Sequence, residues 1–148
     1  MTLQPAGQGS LRWLGLAVYE AQLWVAPDFR QEHFAQHAFA LELHYQRAFS
    51  SPDIARRSLA EMRRGGTLDE AEAQRWQAQL QQLLPDVRAG DRILGLYRPG
   101  HGAAFLVNGV PRGEIADPRF ATRFFGIWLA PRSSEPALRE ALLARTAP

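Results

Sequence analysis

Residues 39–45 read FALELHY, in which Phe39, Leu41, Leu43 and Tyr45 alternate with Ala40, Glu42 and His44. A period of two puts the four large apolar side chains on one face of a strand and the small or polar ones on the other, the pattern of a half-buried antiparallel sheet. Toward the amino terminus, residues 11–25 are rich in Leu, Val, Trp and Tyr and are interrupted at Gly15. They read as one long bent strand or two short ones, with Tyr19, Ala21, Leu23 and Val25 facing one way and Glu20 and Gln22 the other. Toward the carboxyl terminus, Ser51-Pro52 supplies an N-cap and a first-turn proline for a short amphipathic helix carrying Ile54, Ala55, Ser58, Leu59 and Met62 and ending at Gly65-Gly66. Thr67 and Glu70 form a capping box for a second helix, whose Ala73, Trp76, Leu80, Leu83 and Leu84 recur at helical spacing until Pro85. Residues 92–98 and 103–107 read as strands, and Asn108-Gly109 as a two-residue hairpin whose return strand Pro111 places at an edge or a bulge. Asp117-Pro118 opens a helix with Phe120, Phe124, Ile127 and Trp128 on one face, and Ser134 caps a last one carrying Leu138, Ala141 and Leu142. Five strands and four helices follow, without the strict strand-helix alternation of a parallel sheet. The expected class is α+β: an open-faced, mostly antiparallel sheet backed by a layer of helices, one domain over residues 1–148, with a cleft between the layers for a small apolar ligand.

Composition narrows the function classes. The 148 residues are 46% hydrophobic and 22% charged, enough to bury a core without a metal or disulfides. There is no cysteine, which removes thiol nucleophiles and thiolate metal sites and leaves cytoplasm and periplasm both open. All 17 basic residues are arginine, yet net charge is only +2. The arginines are scattered, and the pairs Arg56-Arg57 and Arg63-Arg64 sit among acids, so a nucleic-acid partner is not expected. No apolar run approaches the ~20 residues of a membrane span, and residues 1–10 lack the charged start and apolar stretch of a secretory leader.

Arg12 stands in an otherwise apolar strand, flanked by Leu11, Trp13, Leu14 and Leu16. Burying its guanidinium unpaired would cost several kcal/mol, so a carboxylate of this chain or a ligand anion must meet it. Tyr19 offers a hydroxyl to the same anion, but seven residues put the two on opposite faces of a straight strand unless a bulge at Gly15 rotates Arg12. On residue types alone, the simpler reading is that Arg12 reaches solvent or pairs with Glu20 or Glu42, and that Tyr19 is a core aromatic. His33 and His37 stand four apart, but no third ligand of clear geometry accompanies them, and no metal site is read. His44 falls on the polar row of its strand and His101 in a Gly-His-Gly turn. No nucleophile triad is visible, since Ser133, Ser134 and Asp117 are better explained as helix caps.

The run Gly9-Ser10-Leu11-Arg12, then LAVYEAQLW at 16–24, SPDIA at 51–55, GEIAD at 113–117 and Ser134-Glu135-Pro136, resembles the bacterial chalcone isomerase-like family over most of the chain. The resemblance implies an open-faced antiparallel sheet backed by helices with a ligand cleft between them. It also implies one of two activities. Plant members isomerise chalcones by intramolecular addition to an enone, with an arginine that steers the oxyanion; non-catalytic relatives bind fatty acids through an arginine and a tyrosine. Arg12 matches the arginine of both, and Tyr19 stands where the catalytic members look to have a threonine, as in the fatty-acid binders. The helix beginning at Ser51 has neither the tyrosine nor the asparagine of the plant enzymes. The leading expectation is therefore non-catalytic binding of a hydrophobic carboxylic acid. Arg12 and Tyr19 would hold the head group, and Trp13, Trp24, Phe39, Leu41, Ile54, Leu59, Met62 and Phe124 would line the tail. The alternatives are an isomerase in which Arg12 and Tyr19 serve an enone, haem binding through His101, His37 or His44, as the association of some mitochondrial relatives with haem implies, or a partner module whose cleft is filled by its own side chains. No other cofactor is read. Relatives that carry a secretory leader imply a trimmed periplasmic form as one setting.

Overall fold

Leu14-Gly15 and Asn108-Gly109 are two-residue turns of one kind, with φ of 50° and 78° at the first and 50° and 81° at the second. Turns with both central residues left-handed match the right-handed twist of flanking strands and close tight hairpins. In the computed structural model, which describes residues 2–148, they join β1 (Gln4–Trp13) to β2 (Leu16–Val25) and β5 (Gly102–Val107) to β6 (Val110–Ile115). With β3 (Phe39–Tyr45) and β4 (Arg92–Arg98) between them, the strands form one antiparallel sheet in sequential order β1 to β6. The helices are α1 (Ser51–Met62), α2 (Glu70–Leu83), α3 (Pro118–Leu129) and α4 (Pro136–Leu142). The α+β class and the open antiparallel sheet expected from the sequence are those observed.

Six strands stand where five were expected. The addition comes from the turn at Leu14-Gly15, which splits residues 11–25 between two strands, and the first of these also begins earlier, at Gln4, where Pro5, Gly7 and Gly9 argue against a strand on propensity. The glycines are there because α4 lies directly on this edge. A Cβ at Gly7 would collide with the carbonyl of Ala141, and one at Gly9 would come within 2.9 Å of Leu138. Helix starts also shift by a residue or two. Ser50, not Ser51, caps α1 by accepting from the Asp53 amide, while the Ser51 hydroxyl donates to the Gln81 carbonyl. Asp69, not Thr67, caps α2 through the Glu72 amide. Asp117 caps α3 as expected, and it also accepts from the Trp76 indole at 3.1 Å, tying α2 to the start of α3. Ser134 is no cap at all: the chain enters α4 at Glu135 without a side-chain bond.

Register sorts the sheet into rows. Toward the helices lie Val25, Phe39, Tyr97, Ala103 and Ile115, then Gly7, Leu23, Leu41, Gly95, Phe105 and Gly113, then Gly9, Ala21, Leu43, Ile93 and Val107, and last Leu11, Tyr19 and Tyr45. The face α3 turns inward carries Phe120, Ala121, Phe124, Phe125, Trp128 and Leu129, all buried. Phe125 packs on Gly95, where a Cβ would be 3.0 Å from its ring, and edge-on against Phe39 at 5.0 Å between centroids. The other face of the sheet holds Ser10, Glu20, His44 and Arg92 in one row and Trp24, Ala40, Leu96 and Ala104 in another.

Both edges of the sheet are interrupted. Ala6 interrupts the register of β1, with its carbonyl accepting from the Arg145 amide, and β6 carries Pro111, a bulge at Arg112 and Gly113 at φ 135°. Arg112 donates to the Leu83 carbonyl at the end of α2.

Two substitutions test these contacts by urea denaturation. Gly7→Ala should destabilise by roughly 1–3 kcal/mol or more, since backbone is what its methyl meets; an unmoved midpoint would mean that α4 does not press on β1. Leu14→Asn should stabilise by about 1 kcal/mol, because asparagine tolerates the left-handed region that a branched apolar side chain resists.

Candidate functional site

The last helix-facing row ends in aromatic hydroxyls rather than in a packed helix. Leu11 pairs with Tyr19, and Tyr19 with Tyr45. The register then jumps, with Arg12 opposite Ala17 and Val18 as the extra residue. Over this row lies a cavity of about 190 Å³. The sheet contributes Leu11, Trp13, Val18, Tyr19, Leu43, Tyr45 and Ile93. From α1 come Ile54, Arg57, Ser58 and Glu61, spaced so that they share one helical stripe. Phe124, Ile127 and Trp128 of α3 form the roof, and Ser134, Glu135 and Leu138 close the side at the start of α4.

The polar groups are few and placed. The Trp128 indole donates to the Tyr19 hydroxyl at 2.8 Å in a buried contact. Neither the Tyr19 nor the Tyr45 O–H has an acceptor among the described residues. Among the described residues no fully enclosed side-chain polar atom is left without a partner, so the unbonded Tyr45 hydroxyl is one that solvent reaches through the cavity. Burial pushes both phenols well above their ordinary range, and the Arg57 charge offsets this in part at each. Arg57 makes no ion pair among the described residues and lies 6.0 Å from the centroid of the Trp13 ring. Glu61, by contrast, is engaged: it accepts from the Ser134 hydroxyl at 2.9 Å and lies 3.7 Å from Arg64. Beyond that contact a second cavity, which Met62, Arg64, Arg123 and Arg132 help to line, shares Glu61, Ile127 and Ser134 with the first.

The residues expected at the site divide. Tyr19, Trp13, Ile54 and Phe124 line the first cavity. Arg12 does not: it is exposed, and the expected burial among apolar neighbours is corrected, because Gly15 belongs to the hairpin turn and the bulge falls at Val18 instead. That bulge brings Leu11, not Arg12, onto the face of Tyr19. Nor does Arg12 pair with Glu20 or Glu42, which meet Ser10 and Arg92 instead. Trp24 lies on the opposite face of the sheet, as its alternation with Leu23 and Val25 already implies. Phe39, Leu41 and Leu59 are closed in the core, and Met62 faces the second cavity. Arg57 was missed in the sequence because it flanks the apolar stripe of α1 instead of standing in it; its spacing from Ile54 and Glu61 was the available signal. No histidine lines either cavity.

The raised phenols set a pH dependence. In the native state each keeps its proton above the ordinary tyrosine value near 10. Their contribution to stability is therefore full below about pH 10 and is lost as pH rises beyond it toward the raised values, by up to about 1.4 kcal/mol per pH unit for each phenol. Urea midpoints from pH 8 to 11 should fall more shallowly for Tyr45→Phe than for the parent; identical slopes would place the sensitivity elsewhere.

Comparisons with known proteins agree with this architecture. A protein of Haemophilus influenzae, described only as uncharacterized, is 27% identical over 143 residues, which are 97% of this chain and 69% of that protein. The crystal structure of an Arabidopsis thaliana fatty-acid binding protein superposes with a TM-score of 0.69 at 12% identity, covering 95% of this chain and 86% of that one, a likeness of fold. The family model described as chalcone isomerase-like matches residues 2–144, and the chain belongs to the chalcone isomerase-like family.

Proposed function

We propose that the protein binds a hydrophobic carboxylic acid in the cavity between the sheet and α1 and α3, with the carboxylate on Arg57 and the Tyr19 and Tyr45 hydroxyls. One observation carries this reading: a guanidinium without a carboxylate partner among the described residues stands at a mostly apolar cavity beside two phenol O–H groups that have no acceptor among them. All three are donors, and a carboxylate is the acceptor-only group that can meet them together. The apolar walls, Leu11, Leu43, Ile54, Ile93 and Phe124 among them, suit a hydrocarbon tail at roughly 0.8 kcal/mol per buried methylene. The fatty-acid binding protein of Arabidopsis that shares the fold adds to the case.

The same donors would also receive an enolate oxygen, so the phenols weigh between binding and turnover. A general acid works best with a pKa near the working pH. Burial moves Tyr19 and Tyr45 away from it, which favours hydrogen-bond donation over proton transfer and supports a binding role.

Displacement of a fluorescent fatty acid by a long-chain acid and by its methyl ester tests the reading. Arg57→Gln, which keeps much of the stem over Trp13, should weaken the acid roughly tenfold to a hundredfold through loss of a charge-assisted contact of about 1.5–3 kcal/mol, and leave the ester nearly unchanged. Arg12→Gln should alter neither. Equal losses for acid and ester in Arg57→Gln, or a loss confined to Arg12→Gln, would move the head group elsewhere.

A further inference from the structure

Three of the four exposed large apolar side chains in the described residues sit together on the β1–β2 hairpin: Trp13 at 60%, Leu14 at 83% and Leu16 at 50% exposure. Leu14 holds this place in a left-handed backbone, φ 50°, that the β5–β6 turn fills with Asn108 at the same angle. A branched apolar residue kept in a strained position with its side chain in water serves neither the turn nor the core, and a strained outlier of this kind points to a use. Along the hairpin tip and the segment beside its base the charge is of one sign, the acids Glu61 and Glu135 lying deeper along the cavity that Trp13 lines. Residues 11–19 and 46–50 contain Arg12 and Arg47 and no acid. The Gln46 amide donates to the Val18 carbonyl, which sets Arg47 beside the base of the hairpin, and both arginines are exposed without an ion pair among the described residues. The nearest acid in the hairpin, Glu20, accepts from Ser10.

We propose that the tip of this hairpin docks on lipid bilayers rich in anionic lipid, with Trp13, Leu14 and Leu16 entering the headgroup layer and Arg12 and Arg47 meeting its phosphates. A tryptophan beside aliphatic side chains, ringed by arginine, matches the interface, where amphipathic rings and guanidinium groups settle between water and hydrocarbon and basic residues are drawn to anionic lipid. A second copy of the chain fits less well. Three side chains on a two-residue turn form a narrow convex wedge, far from the ~800 Å² per partner that a stable dimer buries. Trp13 also lines the cavity near Arg57, so docking would bring the cavity mouth onto the membrane. The proposal stands on the hairpin and goes beyond the ligand reading, which it does not need.

The full chain is mixed with vesicles of phosphatidylcholine and phosphatidylglycerol in equal parts, and with vesicles of phosphatidylcholine alone, and bound protein is measured by co-sedimentation. Binding to the anionic vesicles, weakened by high salt, is expected. The double variant Leu14→Asn/Leu16→Ser, which leaves the cavity lining intact and relieves the turn, should lose roughly tenfold or more in vesicle affinity while its urea midpoint does not fall and its affinity for soluble acid is kept. With no native cysteine, Leu14→Cys carries a single environment-sensitive dye, whose emission should shift to the blue on the anionic vesicles. No binding by the parent chain, equal binding by the double variant, equal binding to both vesicle types, or a parent dimer that the double variant dissociates in sedimentation velocity would each overturn the proposal. Vesicle binding without binding of soluble acid would support it and remove only the ligand reading.

Discussion

Phe125 resting on Gly95 is the contact on which the rest of the arrangement depends. With no side chain at Gly95, α3 can press its ring row onto the middle of the sheet, and Phe39, Phe105 and Phe124 close around that point edge to face. Interiors packed this tightly transmit shape, so where α3 is held fixes how far it stands from the sheet elsewhere. Toward the hairpin end the row beneath it changes from glycine and alanine to Tyr19 and Tyr45, and the layers enclose space instead of each other. The cavity is thus the complement of the packing at Gly95.

Polarity follows the same gradient. A phenol can be buried if it stays neutral and finds a partner, and Trp128, at the end of α3, supplies one to Tyr19 by donating its indole hydrogen. That bond orients the hydroxyl and uses its oxygen as acceptor, leaving its own hydrogen to be offered outward. The charged group is kept where hydration is inexpensive: Arg57 lies on the exposed side of α1, with its guanidinium near the Trp13 ring. A fully buried guanidinium would have required a permanent counter-ion, and such a partner would compete with any guest.

Much of this was legible in the residues, and the misses have physical causes. Alternation in FALELHY and the turn at Asn108-Gly109 read correctly because period and turn chemistry are local. The first half of β1 was hidden because Gly7 and Gly9 serve α4, a partner more than a hundred residues away, against their own strand propensity. The arginine was misplaced for a related reason. Nothing in Ala17-Val18-Tyr19 marks a bulge, whereas Gly15 does look like one, so parity around Tyr19 was counted from the wrong residue. The place of Trp24, by contrast, is legible in the alternation itself, since standing between Leu23 and Val25 puts it on the far side of the sheet. Arg57 emerges only when the helix is seated, because its stripe is polar at three of four positions.

An open sheet has two borders, and each is a template on which another chain can lay its own backbone. Here the border at β1 is broken at Ala6 and overlaid by α4, while the border at β6 is kinked by Pro111, Arg112 and Gly113. Neither presents an unbroken comb of free amides. The molecule can therefore expose a greasy fingertip and a hollow interior without also being prone to stacking into fibrils.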